Sequence, residues 1–289
     1  MSGQKRLAEQ FEAHRNHLLA VAYRMLGSLC EAEDAVQETW LRLGRSDAEA
    51  IENLGGWLTT VISRICLDML RSRKSRREES LETRLNDSME SRDDSIDPEK
   101  EALLAESVGL ALLVVLNRLS PVERVAYVLH DIFDLPFSDI APIVGKSEAA
   151  ARQLASRARR RVRGAGTTEN ADVARQRELV DAFLAAAYAG DFEALLAVLD
   201  PDVVLRDDRE AVGVPLVTRG AKSLALQVSG RAKAAQPVLV NGSVGVVAAP
   251  MGRLLYVLQF TIQHGKIAEV ELISDPDRVR KLDLAVLGD

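Results

Sequence analysis

The stretch Phe137–Arg163 reads FSDIAPIVGKSEAAARQLASRARRRVR, and its reading decides the architecture of the middle of the chain. Phe137-Ser138-Asp139-Ile140-Ala141 begins a short helix whose core face is Ile140, Ala141, Ile143 and Val144. Gly145 permits a tight turn, because glycine takes a left-handed backbone at little cost. Ser147 then caps a second helix with Glu148 in its first turn. There Ala151, Leu154 and Ala158 recur at helical spacing and pack inward, leaving Arg152, Gln153, Ser156, Arg157, Arg159 and Arg160 facing mostly outward. A solvated bundle helix does not need glycine, cap, apolar spacing and basic face to agree in this way; a helix-turn-helix does. That motif lays its second helix in the major groove of DNA, with N-terminal residues reading base edges. Arg suits guanine, Gln suits adenine, and later arginines suit phosphates. The candidate DNA contacts are Lys146, Ser147, Glu148, Arg152, Gln153, Ser156, Arg157 and Arg160.

Working upstream, residues 102–163 are helical, with breaks at Ser120-Pro121, around Leu135-Pro136 and at Gly145. Ser120 as cap, Pro121 at the first helical position and Glu123 three residues on make a strong helix start. Residues 78–101 are polar and acidic, contain Pro98 and lack periodicity, so they read as a linker. Before them come three helices. The first carries Phe11, Leu18, Leu19, Ala22, Met25 and Leu26, and Gly27-Ser28 breaks it. The second, Glu31–Leu43, has an apolar stripe of Ala35, Val36, Thr39, Trp40 and Leu43. The third, Trp57–Arg73, turns basic at its end.

Gly164–Asn170 is a second linker, and after residue 171 the grammar changes. Val173–Ala189 and Phe192–Leu199 read as helices. The runs Val203–Leu205, Val238–Val240, Val244–Ala248, Leu254–Gln263 and Ile267–Ile273 read as strands, several of them separated by glycine turns. Helices followed by a sheet of hairpins indicate an α+β domain.

The chain has 289 residues, 47% hydrophobic and 28% charged, enough for two or three domains. Its net charge of -6 hides two basic bunches, Arg71–Arg77 and Arg157–Arg163, with an acidic run between them. No apolar run approaches a membrane span and the N-terminus does not read as a signal peptide, so a cytoplasmic protein is expected. Cys30 and Cys66 read as reduced thiols and form neither a disulfide framework nor a zinc site; no metal or cofactor is expected.

At this point the residues resemble a known family. Tyr23-Arg24-Met25-Leu26-Gly27-Ser28 with Glu31–Leu41 is similar to region 2 of extracytoplasmic-function (ECF) sigma factors. Trp57-Leu58 through Asp68-Met69-Leu70-Arg71 resembles their promoter-melting helix, and Leu119-Ser120-Pro121 through Arg159-Arg160 resembles their region 4. The resemblance covers roughly residues 5–163. It implies an alternative sigma factor that directs core RNA polymerase to promoters, through the β′ clamp helices and the β subunit. It implies that Asp34, Gln37, Glu38, Leu41 and Arg42 dock on the clamp. It further implies that the helix Trp57–Arg77 binds the minus-ten element and traps a flipped base. A captured base needs a pocket and a cationic wall, for which Arg64, Arg71, Arg73, Lys74, Arg76 and Arg77 are the candidates. Trp57 reads as a core residue rather than a stacking platform. The chain carries Arg64 where many members carry Asn. The acidic linker reads either as a nucleic-acid mimic near the RNA exit path or as a solvated tether.

Residues 172–289 resemble the SnoaL-like branch of the nuclear-transport-factor-2-like fold, a curved sheet wrapped around helices as a cone. The carrying residues are Ala186-Ala187-Tyr188-Ala189-Gly190-Asp191-Phe192 through Leu196, Leu199–Leu205 and Gly265–Val270. Several ECF groups carry such a domain, and Asp275-Pro276-Asp277-Arg278-Val279 with Leu282 resembles the terminal motif of one group. Arg206-Asp207-Asp208-Arg209 stands where that group has a Gly-rich motif, and reads as a solvated turn after the first strand. Asp207, Asp208 and His264 are the local candidates for proton transfer, but no catalytic role is assigned to them. The cone of this fold would take a small apolar ligand.

The expected organisation is therefore multidomain, two all-α sigma domains followed by an α+β domain. Residues 1–77 form region 2, 78–101 the acidic linker, 102–164 the region 4 helix-turn-helix for the minus-35 element, and 172–289 a regulatory domain acting in cis. The short tether and the amphipathic tail with Val279, Leu282, Leu284, Val286 and Leu287 motivate that last role. A monomer is expected, with core polymerase and promoter DNA as partners. The alternatives are a SnoaL-like small-molecule enzyme or ligand sensor with a DNA-binding portion, and an ordinary dimeric repressor. The repressor reading leaves the basic helix Trp57–Arg77 without a purpose.

Overall fold

The computed structural model describes residues 2–47, 50–82, 109–164, 171–211, 214–230, 232, 235–250 and 254–287. Most of the acidic linker and residues 165–170 of the second linker lie outside the described residues. The chain divides into two compact units, Met1–Val108 with Leu116–Arg159, and Gly109–Val115 with Arg160–Asp289.

In the first unit, α1 (Ser2–Leu26) packs against α2 (Leu29–Gly44) and α3 (Leu54–Glu82). Leu18, Val21, Ala22, Met25 and Leu26 recur every three or four residues and are fully buried, which places one face of α1 at the centre of the bundle. Gly27 ends α1 at a positive φ of 72°, and its amide donates to the Tyr23 carbonyl at 2.7 Å. Ser28 then caps α2 by accepting from the Glu31 amide. Helix α3 continues to Glu82, past the expected end of the basic stretch. Glu78, Glu79, Leu81 and Glu82 are all good helix formers, and no breaker intervenes.

After α4 (Leu110–Leu116), Ser120 opens α5 (Pro121–Tyr127) with the full reciprocal capping box to Glu123. A π-helical turn, Val128–Ile132, follows. Then come α6 (Phe137–Val144) and α7 (Glu148–Arg163). Gly145 adopts the left-handed backbone between them (φ 67°, ψ 41°), and the Ser147 hydroxyl accepts from the Ala150 amide at 3.3 Å. The helix-turn-helix expected from Phe137–Arg163 is present with its glycine turn and its cap.

The second unit is α+β. Helices α8 (Ala171–Ala189) and α9 (Phe192–Val198) lead into β1 (Leu199–Ala211), β2 (Val214–Arg219), α10 (Ala221–Val228) and strands β3 (Ala235–Val240), β4 (Ser243–Ala248), β5 (Tyr256–Gln263) and β6 (Lys266–Ile273). Helix α11 (Pro276–Lys281) and β7 (Leu284–Ala285) close it. Among the described residues the strand order is β2-β1-β6-β5-β4-β3-β7, with β1 and β6 parallel and the other neighbours antiparallel. Phe183, Leu195, Val203, Leu205, Leu224, Ile267 and Val270 form the core between helices and sheet. This is the α+β arrangement expected of a SnoaL-like domain.

Two differences from the sequence reading stand out. Strand β1 does not end at Leu205, so Arg206-Asp207-Asp208 is strand rather than a solvated turn. Asp207 follows Val203 and Leu205 on the buried face, at 2% exposure. Second, β2, α10 and β7 had no sequence signature. Leu216 and Val217 are both exposed on edge strand β2, so the alternation that marks a half-buried strand is absent.

Candidate nucleic-acid interface

Three surfaces carry the candidate residues. On α2, Asp34, Gln37, Leu41 and Arg42 are exposed and Glu38 is half-buried. Their spacing of three, four, seven and eight places them along one outward face. Glu38 accepts from Arg42 Nε at 2.9 Å, which fixes the two long side chains beside Leu41. Leu41 keeps 45% of its surface accessible in the middle of this polar face. The opposite face, Ala32, Ala35, Val36, Thr39 and Leu43, is buried. Thr39 is kept polar inside the bundle by donating to the Ala35 carbonyl at 2.7 Å.

On α3 the candidates separate. Arg64, Arg71, Lys74 and Arg76 are exposed; the Arg77 side chain lies outside the described residues. Arg71 pairs loosely with Asp68 at 3.6 Å. Arg73 is not part of the outer cationic wall. It donates to Glu31 Oε1 at 2.8 Å and to the Leu26 carbonyl at 3.0 Å, so its charge ties α3 to the α1–α2 corner. Trp57 is half-buried, and the centre of the helix (Leu58, Ile62, Cys66 and Leu67) is core. Burial pushes the Cys66 thiol up to about 12, against a smaller opposing pull from Arg124, and so disfavours its thiolate.

On α7 every DNA-contact candidate is exposed: Lys146, Ser147, Glu148, Arg152, Gln153, Ser156, Arg157 and Arg160. Ala151, Leu154, Ala155 and Ala158 form the buried face. Two refinements follow. Arg159 turns inward to the Asp131 carboxylate at 2.5 Å; that hydrogen bond raises its pKa above the ordinary arginine value. Arg152 lies over the Phe137 ring at 5.2 Å, a cation–π contact that orients the guanidinium at the start of the helix. Glu123, buried beneath, faces Arg157 at 3.9 Å.

In the second unit Asp208 is a tie point. It accepts from the Ser274 amide at 2.8 Å, the Ser274 hydroxyl at 2.7 Å and the Asp275 amide at 3.1 Å, with Arg278 Nη1 at 3.4 Å. Burial pushes the Asp208 carboxyl up, but the bonds from Ser274 and Asp275 and the charge of Arg278 outweigh it and hold it below its ordinary range. Asp275 caps α11 in turn. The tail then pairs with β3 through β7, and the Val286 amide donates to the Val162 carbonyl at 2.7 Å, both residues in the second unit.

The proton-transfer candidates do not converge. Asp207 is paired in register with Leu272, while His264 sits in the turn beyond Lys266 at the far end of the same strand. Six strand residues separate those positions, roughly 20 Å at about 3.3 Å per residue. A groove of about 220 Å³ lies on this unit, lined by Ser243, Gln259, Thr261, Glu269 and Glu271 among others. Val240, Val244 and Phe260 line it as well.

The sequence matches the family model for sigma-70 region 2 over residues 10–76 and the model for sigma-70 region 4 over residues 109–162. It is 38% identical over 287 residues to the ECF RNA polymerase sigma factor SigJ of Mycobacterium tuberculosis, covering 93% of this chain and 92% of SigJ. The chain belongs to the ECF RNA polymerase sigma factors. A second relative, the probable ECF RNA polymerase sigma factor SigI of M. tuberculosis, is 36% identical over 98% of both chains. The crystal structure of M. tuberculosis SigJ is also similar, at 35% identity, covering 94% of this chain and 97% of that one, with a TM-score of 0.46. This ECF factor is thus an alternative sigma factor of transcription initiation, which binds core RNA polymerase and promoter DNA. None of its described helices is long and apolar enough to cross a membrane.

Proposed function

We propose that this sigma factor divides its work among the three surfaces and is modulated in cis by its C-terminal domain. The α2 face centred on Leu41 docks on the β′ clamp helices. The exposed basic residues of α3 (Arg64, Arg71, Lys74 and Arg76) hold the minus-ten element. Helix α7 enters the major groove of the minus-35 element, with Arg152 and Gln153 at base edges and Arg157 and Arg160 at phosphates. Region 4 also meets the β subunit, and the protein works in the cytoplasm, where its polymerase is.

The observation that carries modulation in cis is the Val286–Val162 hydrogen bond. The last carbonyls of a helix lack intrahelical partners. Here the C-terminal tail supplies one at the end of the helix proposed to read DNA. The Asp208 knot and the β3–β7 pairing hold the tail at that helix end.

The test is transcription in vitro with core polymerase, comparing the full chain with Asp208→Asn and with a chain ending at residue 171. Modulation in cis requires promoter output to change, in either direction, when the knot or the domain is removed. Identical output from all three, at equal folded protein, refutes it.

A further inference from the structure

The arginines of α7 are held in two different ways. Arg159 is bound to the Asp131 carboxylate at 2.5 Å, and Arg157 faces buried Glu123 at 3.9 Å. Arg152 has a ring instead of a carboxylate. Its guanidinium carbon stands 5.2 Å from the centroid of Phe137, and among the described residues no acceptor takes its N–H groups. A carboxylate would occupy some of those donors and offset the charge. A guanidinium held through an aromatic face keeps its charge and all five donors available to a further partner.

The ring is itself fixed. Phe137 is the first residue of α6 and follows Pro136, whose φ of -70° and ψ of 152° set the start of that helix. The His130 ring lies against it, with centroids 4.0 Å apart. His130 belongs to the π-helical turn, and its Nδ1 donates to the Leu135 carbonyl at 3.0 Å, since a carbonyl only accepts. The Leu135 amide donates in turn to the Leu129 carbonyl at 2.9 Å, which closes the loop leading to Phe137. On the side of α7, buried Ala151, Leu154 and Ala155 fix the helical phase of Arg152. The Lys146 amide donates to the Ala141 carbonyl at 3.0 Å across the Gly145 turn. Phe137 and Arg152 thus come from the two helices of the motif, and both backbones are pinned.

We infer that Phe137 is a specificity-determining positioning residue, whose ring holds the Arg152 guanidinium ready to read a guanine through O6 and N7. The inference deepens the proposed function and rests on its placement of Arg152 at base edges. An unrestrained arginine swings between base acceptors and phosphates and finds comparable contacts on several sequences. Held on Phe137, it meets a guanine already oriented, and the ordering cost is met before binding. Reaching a different acceptor means giving up the ring contact. A cation–π contact near the surface is worth a factor of about two to five. That factor adds to the discrimination of the bidentate contact itself, roughly five- to 150-fold. Phe137 needs no contact with DNA for this effect.

The test uses the holoenzyme, the full chain bound to core RNA polymerase, on a promoter that it transcribes, with the minus-35 element randomised. Transcribed templates are sequenced for the wild type, Arg152→Ala, Phe137→Leu and Phe137→Tyr. Arg152→Ala is expected to abolish a guanine preference at one position of the element. Phe137→Leu is expected to lower the preference at that same position by about two- to fivefold, with preferences at the other positions retained. Phe137→Tyr, which keeps an aromatic face, is expected to restore it. Leucine keeps an apolar side chain beside His130, and a mere folding defect would lower output from all templates alike. An unchanged guanine preference in Phe137→Leu, or an equal loss at every position, overturns the inference while leaving Arg152 at base edges. If Arg152→Ala alters no position, the placement of Arg152 itself fails, and the inference with it.

Discussion

Arg73 and Glu31 are joined across the corner of region 2, from Arg73 Nε to Glu31 Oε1 at 2.8 Å, while Arg73 Nη1 caps the end of α1 at the Leu26 carbonyl. The basic end of α3 thus contains two kinds of arginine, one that holds the bundle together and others that face solvent. Arg73→Ala is expected to destabilise region 2 by about 1–2 kcal/mol, as for loss of hydrogen bonds to a charged group. It should leave the salt dependence of DNA binding nearly unchanged. Arg160→Ala on α7 should do the reverse, weakening binding about equally across sequences and lowering the slope of log K against log salt by about 1. Thermal unfolding and binding across a salt series check both.

Leu41 is an apolar side chain left accessible on an otherwise polar face of α2. Such a residue gains by burial against a partner and contributes little to the fold itself. Leu41→Glu is expected to weaken association with core polymerase by about tenfold or more, about 1.4 kcal/mol or above. The melting temperature should stay within a degree or two. Affinity by fluorescence anisotropy with labelled sigma factor reads the first effect, and differential scanning calorimetry the second.

Gly145 holds the turn of the helix-turn-helix in the left-handed region, and a Cβ there would meet no atom within 4 Å. The cost of Gly145→Ala is therefore backbone strain alone, about 1–2 kcal/mol. The alanine variant is expected to fold with region 4 destabilised by that amount, as read by chemical denaturation. Wild-type stability would mean that the turn tolerates another conformation.

His17 lies on the exposed side of α1 near Thr59, partly covered by Phe133, which stands against its ring. Burial lowers its pKa and the neighbouring His14 lowers it further, so the native form favours the neutral ring. A depressed histidine contributes stability that is present above its ordinary value of 6.5 and lost as pH falls below it, because the unfolded chain takes up the proton first. The first unit should lose stability from about pH 6.5 downward. His17→Gln should flatten that part of the profile, as followed by unfolding midpoints from pH 7.5 to about 5.5.

The sequence made legible whatever rests on local periodicity and capping. Gly145 with Ser147, and Ser120 with Glu123, define helix ends within four residues, so both motifs were readable in one dimension. The exposed faces of α2 and α7 followed from helical phase. What escaped depends on partners distant in the chain. Asp208 meets Ser274 across 66 residues and Arg124 meets Arg24 across 100. Arg73 reads as a DNA contact and Arg159 as an outward-facing residue because both lie in basic runs, and only tertiary packing turns them toward Glu31 and Asp131. The apolar run Val125–Leu129 directly after Arg124 was the available sign that Arg124 is buried. Strand β2, exposed on both sides, and the short β7 carry no periodic signal to find.

The most direct measurement is transcription in vitro from a pool of promoter fragments, with core RNA polymerase and the full chain as the only sigma factor. Promoter-specific transcripts are expected from the wild type and should be strongly reduced by Leu41→Glu and by Arg152→Ala with Gln153→Ala. No transcript from any fragment, together with tight binding to palindromic duplex DNA in the absence of polymerase, would contradict the assignment of these surfaces to promoter-directed initiation.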